Sequence, residues 1–138
     1  MATVQQTVTR ALRTSRVLEA SGTPTGADMS TGLQILNSMM ARWEADGLAL
    51  GWVAVTSPSE DLPVPAEADE AIVYNLAARM GMEYGQPLSR ELAYAAQSNY
   101  DALLRDRIVE MPLNQKNGLP VPDYSFTFNY NAFYNGVY

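Results

Sequence analysis

The chemistry open to this chain is narrow. Among its 138 residues there is no Cys and no His. That removes a thiol nucleophile, a Ser-His-Asp or Cys-His triad, a zinc-finger pattern and the usual general base near neutral pH. What remains is carboxylate chemistry, a Tyr or Ser site, or no catalysis. A carboxylate-dependent hydrolase needs two acids facing each other across a cleft. The fifteen acids of the chain are not patterned that way. Glu60-Asp61 lies in a turn-rich stretch. Glu67, Asp69 and Glu70 fall where a helix begins, and a first turn favours negative charge through the helix dipole. No GxGxxG, phosphate loop or metal-ligand spacing occurs, so neither cofactor nor metal is expected. Arg79 and Glu83 are four apart beside an apolar stripe, a spacing that predicts a partly buried ion pair or a contact between subunits.

Charge divides the chain into a basic first helix, an acidic body and an arm, 112–138, with only two charges, Lys116 and Asp123. The net charge is −6, yet residues 1–18 carry Arg10, Arg13 and Arg16 and no acid. These arginines share the side of a first helix opposite Val4, Val8, Ala11, Leu12 and Ser15, either as a solvated face or as a contact with an acidic partner surface or with nucleic acid. The rest of the chain has six basic residues against fifteen acidic ones. An acidic protein binds DNA poorly without specificity, although a non-adhesive acidic lining beside DNA is compatible with it. The longest mostly apolar run, Leu48–Val55, is far short of the roughly 20 residues of a membrane span. No signal peptide is visible, so a soluble protein made in a cytoplasm is expected.

The elements that must position these groups are mainly helical. The first helix is expected over about Thr3–Leu18. The second runs from a Thr25 or Asp28 cap to Gly47, with Met29, Leu33, Leu36, Met40 and Trp43 at alternating spacings of four and three, widened by Ile35 and Met39. Residues 48–65 combine a short extended run with a Pro-rich stretch, which predicts a loop or hairpin projecting from the body. The third helix follows Pro65, with Ile72, Val73, Leu76, Ala77, Met80 and Tyr84 as its buried face. The fourth runs from Ser89 to about Arg107 on a thin stripe of Leu92, Ala96 and Leu103. Residues 112–138 are different in kind. Tyr124, Phe126, Phe128, Tyr130, Phe133, Tyr134 and Tyr138 crowd into the last fifteen residues, the first four in strict alternation with polar side chains. That is the period of an extended strand with one aromatic face, which needs a surface to lie on.

Several segments, in order, carry a family resemblance: Leu12-Arg13 with Val17-Leu18, Gly22-Thr-Pro24, Leu33-Gln-Ile-Leu-Asn37, Trp43-Glu-Ala-Asp-Gly-Leu48, and Asn75-Leu-Ala-Ala-Arg79 with Glu83-Tyr-Gly85. Over residues 6–108 the chain resembles the head-to-tail adaptors of short-tailed phages, also called tail accessory factors or packaged-DNA stabilisation proteins. The resemblance implies a virion structural protein in the phage neck, without catalysis. It implies a ring of about twelve subunits under the portal that extends the DNA channel, helps retain packaged DNA and connects to a downstream tail or nozzle protein. The family usually carries a longer strand-rich insertion where this chain has only Leu48–Pro65.

The expected fold is a small bundle of about four helices. Residues 1–111 form the body, 48–65 the projecting loop or hairpin, and 112–138 an extended aromatic arm. The expected partners are the portal ring, neighbouring copies and the next tail component, with double-stranded DNA passing through and no membrane. The interface candidates are the three N-terminal arginines, Arg79, Glu83 and the seven aromatics of the arm. Two other readings compete: a carboxylate-dependent cell-wall hydrolase, and a cytoplasmic helical binding module.

Overall fold

A computed structural model describes the backbone of residues 1–110 and the side chains of residues 1–107. Its elements are α1 (Val4–Thr14), α2 (Gly26–Ala45), a 3-10 turn (Ala66–Ala68), α3 (Asp69–Glu83) and α4 (Arg90–Glu110). No strand occurs among the described residues; an isolated antiparallel bridge joins Thr3 to Asp61. The expected aromatic strand lies outside the described residues.

The helix starts follow local chemistry. Thr3 caps α1 and Thr25 caps α2, each in a capping box completed by Gln6 and Asp28 respectively. Ser89 accepts a hydrogen bond from the Leu92 N–H at the start of α4. The buried side of α1 is Val4, Thr7, Val8, Ala11 and Leu12, close to the apolar set expected. Thr7 is the addition: its hydroxyl donates to the Thr3 carbonyl at 3.2 Å, which lets a polar side chain enter the core.

The helix α3 is the centre of the molecule, packed by α1, α2 and α4. Leu12, Leu36, Met40, Ile72, Leu76 and Met80 are fully buried around it. Each contributes roughly 1.5–3 kcal/mol by leaving water. Where α1 crosses α2 the backbones approach through Gly32. A Cβ there would lie 2.5 Å from Val8 Cγ1 and 3.3 Å from Met80 Cε. On the other side of α3, α4 packs through Ala96 and Leu103, its buried hydrophobic residues among those described, with Leu92, Tyr100 and Leu104 partly buried against the same core. Asn75 ties the two helices, donating from Nδ2 to the Ala71 and Ala96 carbonyls at 2.8 and 2.9 Å. Tyr100 adds a tilted ring contact with Trp43, centroids 5.0 Å apart.

Three expectations change. First, α1 ends at Thr14 rather than Leu18, because the chain turns at Arg16. Second, Tyr84 is not part of the buried face; it is the C-terminal cap of α3 and is 36% exposed. Third, the 48–65 loop is anchored on both flanks and stands clear only at its crest. Leu48, Leu50, Val55, Leu62 and Val64 are buried, whereas Gly51, Val53 and Ala54 are exposed.

The anchors of this loop are polar as well as apolar. Asn37 donates to the Val55 carbonyl and accepts from the Val55 N–H, at 2.9 and 3.1 Å. The loop also completes α1. Val4 N–H donates to Glu60 O at 2.9 Å, Gln5 N–H to Pro58 O at 2.8 Å, and Leu62 N–H to Ala2 O at 2.9 Å. The first N–H groups of a helix have no intrahelical acceptor; the loop supplies acceptors for two of them.

Candidate functional site

The expected basic face of α1 is partly used inside the subunit. Arg10 pairs with Asp69 at the start of α3, Nη1 to Oδ2 3.4 Å, with both side chains partly solvated. A pair of that exposure contributes roughly 0–1 kcal/mol. Asp69 Oδ1, by contrast, is buried without a hydrogen-bond partner. Arg13 donates from Nη2 to the Gly22 carbonyl at 3.0 Å, holding the turn that leads to α2. Arg16 makes no side-chain hydrogen bond or ion pair among the described residues, and it is exposed.

The backbone at Arg16 explains why the helix stops there. Ser15 is the C-cap, the Val17 N–H bonds the Leu12 carbonyl and the Arg16 N–H bonds the Arg13 carbonyl. That is a Schellman motif, which places the residue after the cap in the left-handed region. The helices α2 and α3 end in the same motif, through Leu48 N–H to Trp43 O and Gln86 N–H to Gly81 O. Their left-handed residues are Gly47, φ 94°, and Gly85, φ 70°, as their chemistry favours. In α1 that residue is Arg16, φ 62°, the one non-glycine residue with positive φ among the described residues. The conformation costs a non-glycine residue about 1–2 kcal/mol, and a cation at a helix C-terminus recovers roughly 0.3–1 kcal/mol.

Arg79 and Glu83 form no ion pair with each other. They line a shallow depression between α2 and α3 with Gln34, Ile35, Ser38 and Met82. Met82 is 62% exposed, a hydrophobic side chain open to solvent beside a half-buried arginine. The seven aromatic interface candidates, Tyr124 to Tyr138, lie outside the described residues.

The thin stripe of α4 leaves much of that helix for solvent or another subunit, but the sequence pattern singles out no residue of its outer face. Tyr94, Gln97, Ser98, Asp101, Leu104 and Arg105 recur at helical spacing and line one shallow trough. Tyr94 is 75% exposed. The thinness of the buried stripe was the available signal, but it does not say which side chains face outward.

The carboxylates are spread out. Three surface depressions carry one acid each: Asp101 on α4, Glu83 between α2 and α3, and Asp69 beside the N-terminal residues. No group of three or more acids among the described residues could hold a metal ion. Glu60 and Asp28 have structural work. Glu60 Oε1 accepts from the Thr56 hydroxyl at 2.9 Å and from the Thr56 and Ser57 N–H groups, which together hold its pKa below the usual value. Asp28 accepts from the Tyr84 hydroxyl at 2.6 Å, and from the Thr25 N–H and hydroxyl; these lower its pKa, the tyrosine most. The same bond raises the pKa of Tyr84. A lowered carboxylate pKa stabilises the fold above its unfolded value, and that contribution is lost as pH falls through the folded one. This link therefore ties the start of α2 to the end of α3 at neutral pH.

The model of the P22 tail accessory factor family matches residues 2–136. The chain belongs to that family. The match runs through all four helices and on through most of the aromatic segment, well past the 6–108 stretch whose residues resemble the adaptors. Membership in the P22 tail accessory factors gives the protein a structural role in the phage tail and a place in the virion. No curated protein sequence matches the chain. No described helix is long and apolar enough to cross a membrane.

Proposed function

We propose that this tail accessory factor is a head-to-tail adaptor subunit. About twelve copies assemble as a ring under the portal. The ring extends the DNA channel, helps retain the packaged genome and presents a platform to the next tail component. The family match over residues 2–136 is the observation that carries this reading.

Physical features support it. A net charge of −6 per subunit favours a conduit that DNA passes without sticking. Glu60 and Asp46 are engaged inside the subunit, Asp46 with Arg42 at 3.2 Å. Glu44 and Asp61 are exposed without such side-chain partners among the described residues, which makes them the better lumen candidates. The outer face of α4 and the aromatic segment 124–138 supply apolar surface for subunit or portal contacts. Burying four aromatics at roughly 25 cal/mol per Å² contributes several kcal/mol to docking. The reading needs no nucleophile or cofactor.

Deleting residues 123–138 tests it. The truncated chain should keep the helical circular dichroism of the parent and lose affinity for portal rings by at least about tenfold. Full docking affinity in the truncated chain would contradict the role of the arm.

A further inference from the structure

We infer that Arg16 is an assembly contact whose partner is a carboxylate on a second copy of this chain. The inference rests on the ring reading and goes beyond it by naming one residue and the chemistry it meets.

The backbone at this position favours glycine. Arg16 occupies, at φ 62°, the place that Gly47 and Gly85 fill in the matching turns of the other helices. A side chain held in a sparsely populated backbone region points to a use for that side chain. Among the described residues the Arg16 guanidinium makes no hydrogen bond or ion pair. Its neighbours differ, since Arg10 is held by Asp69 and Arg13 by the Gly22 carbonyl. The helix dipole offsets only part of the cost of the left-handed backbone, and Arg13 already supplies a cation in the last turn.

The charge of the chain identifies the occupant. Beyond residue 18 there are fifteen acids against six basic residues. Exposed carboxylates such as Glu67, Glu70 and Glu91 carry no ion pair among the described residues. A guanidinium matches a carboxylate in a two-pronged hydrogen bond. A basic corner on one copy meeting an acidic surface elsewhere on the next is a heterologous contact, the kind that repeats around a closed ring.

Two measurements on the full chain with portal rings of the same phage test this. Arg16→Gly should raise the melting temperature of the free subunit by roughly 2–5 °C. The same change should weaken ring formation by about tenfold and reduce its cooperativity. The second uses Arg16→Lys with Lys116→Arg, so that the amine introduced at position 16 is the only lysine amine. Carbodiimide treatment of rings mixed from light and heavy isotope-labelled copies should join position 16 to an Asp or Glu of another copy. Unchanged assembly in Arg16→Gly, an unraised melting temperature, or links only within one copy or only to portal would overturn the inference. A parent chain that leaves portal rings bare overturns the ring reading itself, and this inference falls with it.

Discussion

The helices α1 and α4 flank the same central helix, yet they are held very differently. In its 11 residues α1 buries Val4, Thr7, Val8, Ala11 and Leu12. It is also capped by the 58–62 segment through backbone hydrogen bonds. The longer α4 buries Ala96 and Leu103, relies on the Asn75 amide, and turns Tyr94 outward. A helix needs one apolar face satisfied. For α1 that face is satisfied inside the subunit. For α4 the inner contact rests on two buried side chains and on the partly buried Leu92, Tyr100 and Leu104 among the described residues, and Tyr94 is left on an outer face.

Substitutions at matched positions would break this comparison most severely. Leu12→Ala should cost roughly 3–4 kcal/mol in denaturant unfolding, because a fully buried side chain leaves a cavity in a closed core. Leu103→Ala should cost roughly 2 kcal/mol, at the low end of the same range, since the edge of α4 can settle inward. Equal losses would show that α4 is as deeply integrated as α1. Gly32→Ala comes next. Crowding Val8, which is stiff at χ1, costs roughly 1–3 kcal/mol, against about 1 kcal/mol gained in helix propensity. A net loss of stability is expected, and a net gain would mean that the α1–α2 crossing has room. The smallest effect on folding belongs to Tyr94→Ser, within roughly 0.5 kcal/mol of the parent. Its consequence should appear in weakened assembly on portal rings instead. A fold that loses several kcal/mol from this change would place Tyr94 in the subunit's own core.

Much of the fold was legible because it is locally encoded. The Thr25 cap, the Gly47 stop, the Ser89 cap and the α2 stripe are each set by residues within a few positions of one another. The illegible parts depend on distant partners. Thr7 reads as polar, and its burial rests on the backbone carbonyl that accepts its hydroxyl. Gly32 reads as an ordinary helix residue until Val8 is packed against it. The 48–65 segment reads as free because its anchors, Asn37 and the first turn of α1, lie far away in the chain. Arg16 is the opposite case. Its spacing suggests a continuing helix, and the turn there runs against the residue's own preference. The basic face of α1 was legible as a charge pattern, and the structure separates its members: Arg10 and Arg13 have partners inside the subunit, whereas the Arg16 side chain has none among the described residues.

The central claim is that the chain forms a ring on the portal. Native mass measurement or electron microscopy of the full chain mixed with portal rings tests it most directly. The account predicts a closed second ring of about twelve copies, one for each portal subunit, absent when residues 123–138 are removed. Portal rings that stay bare at saturating concentrations of the intact chain would contradict it.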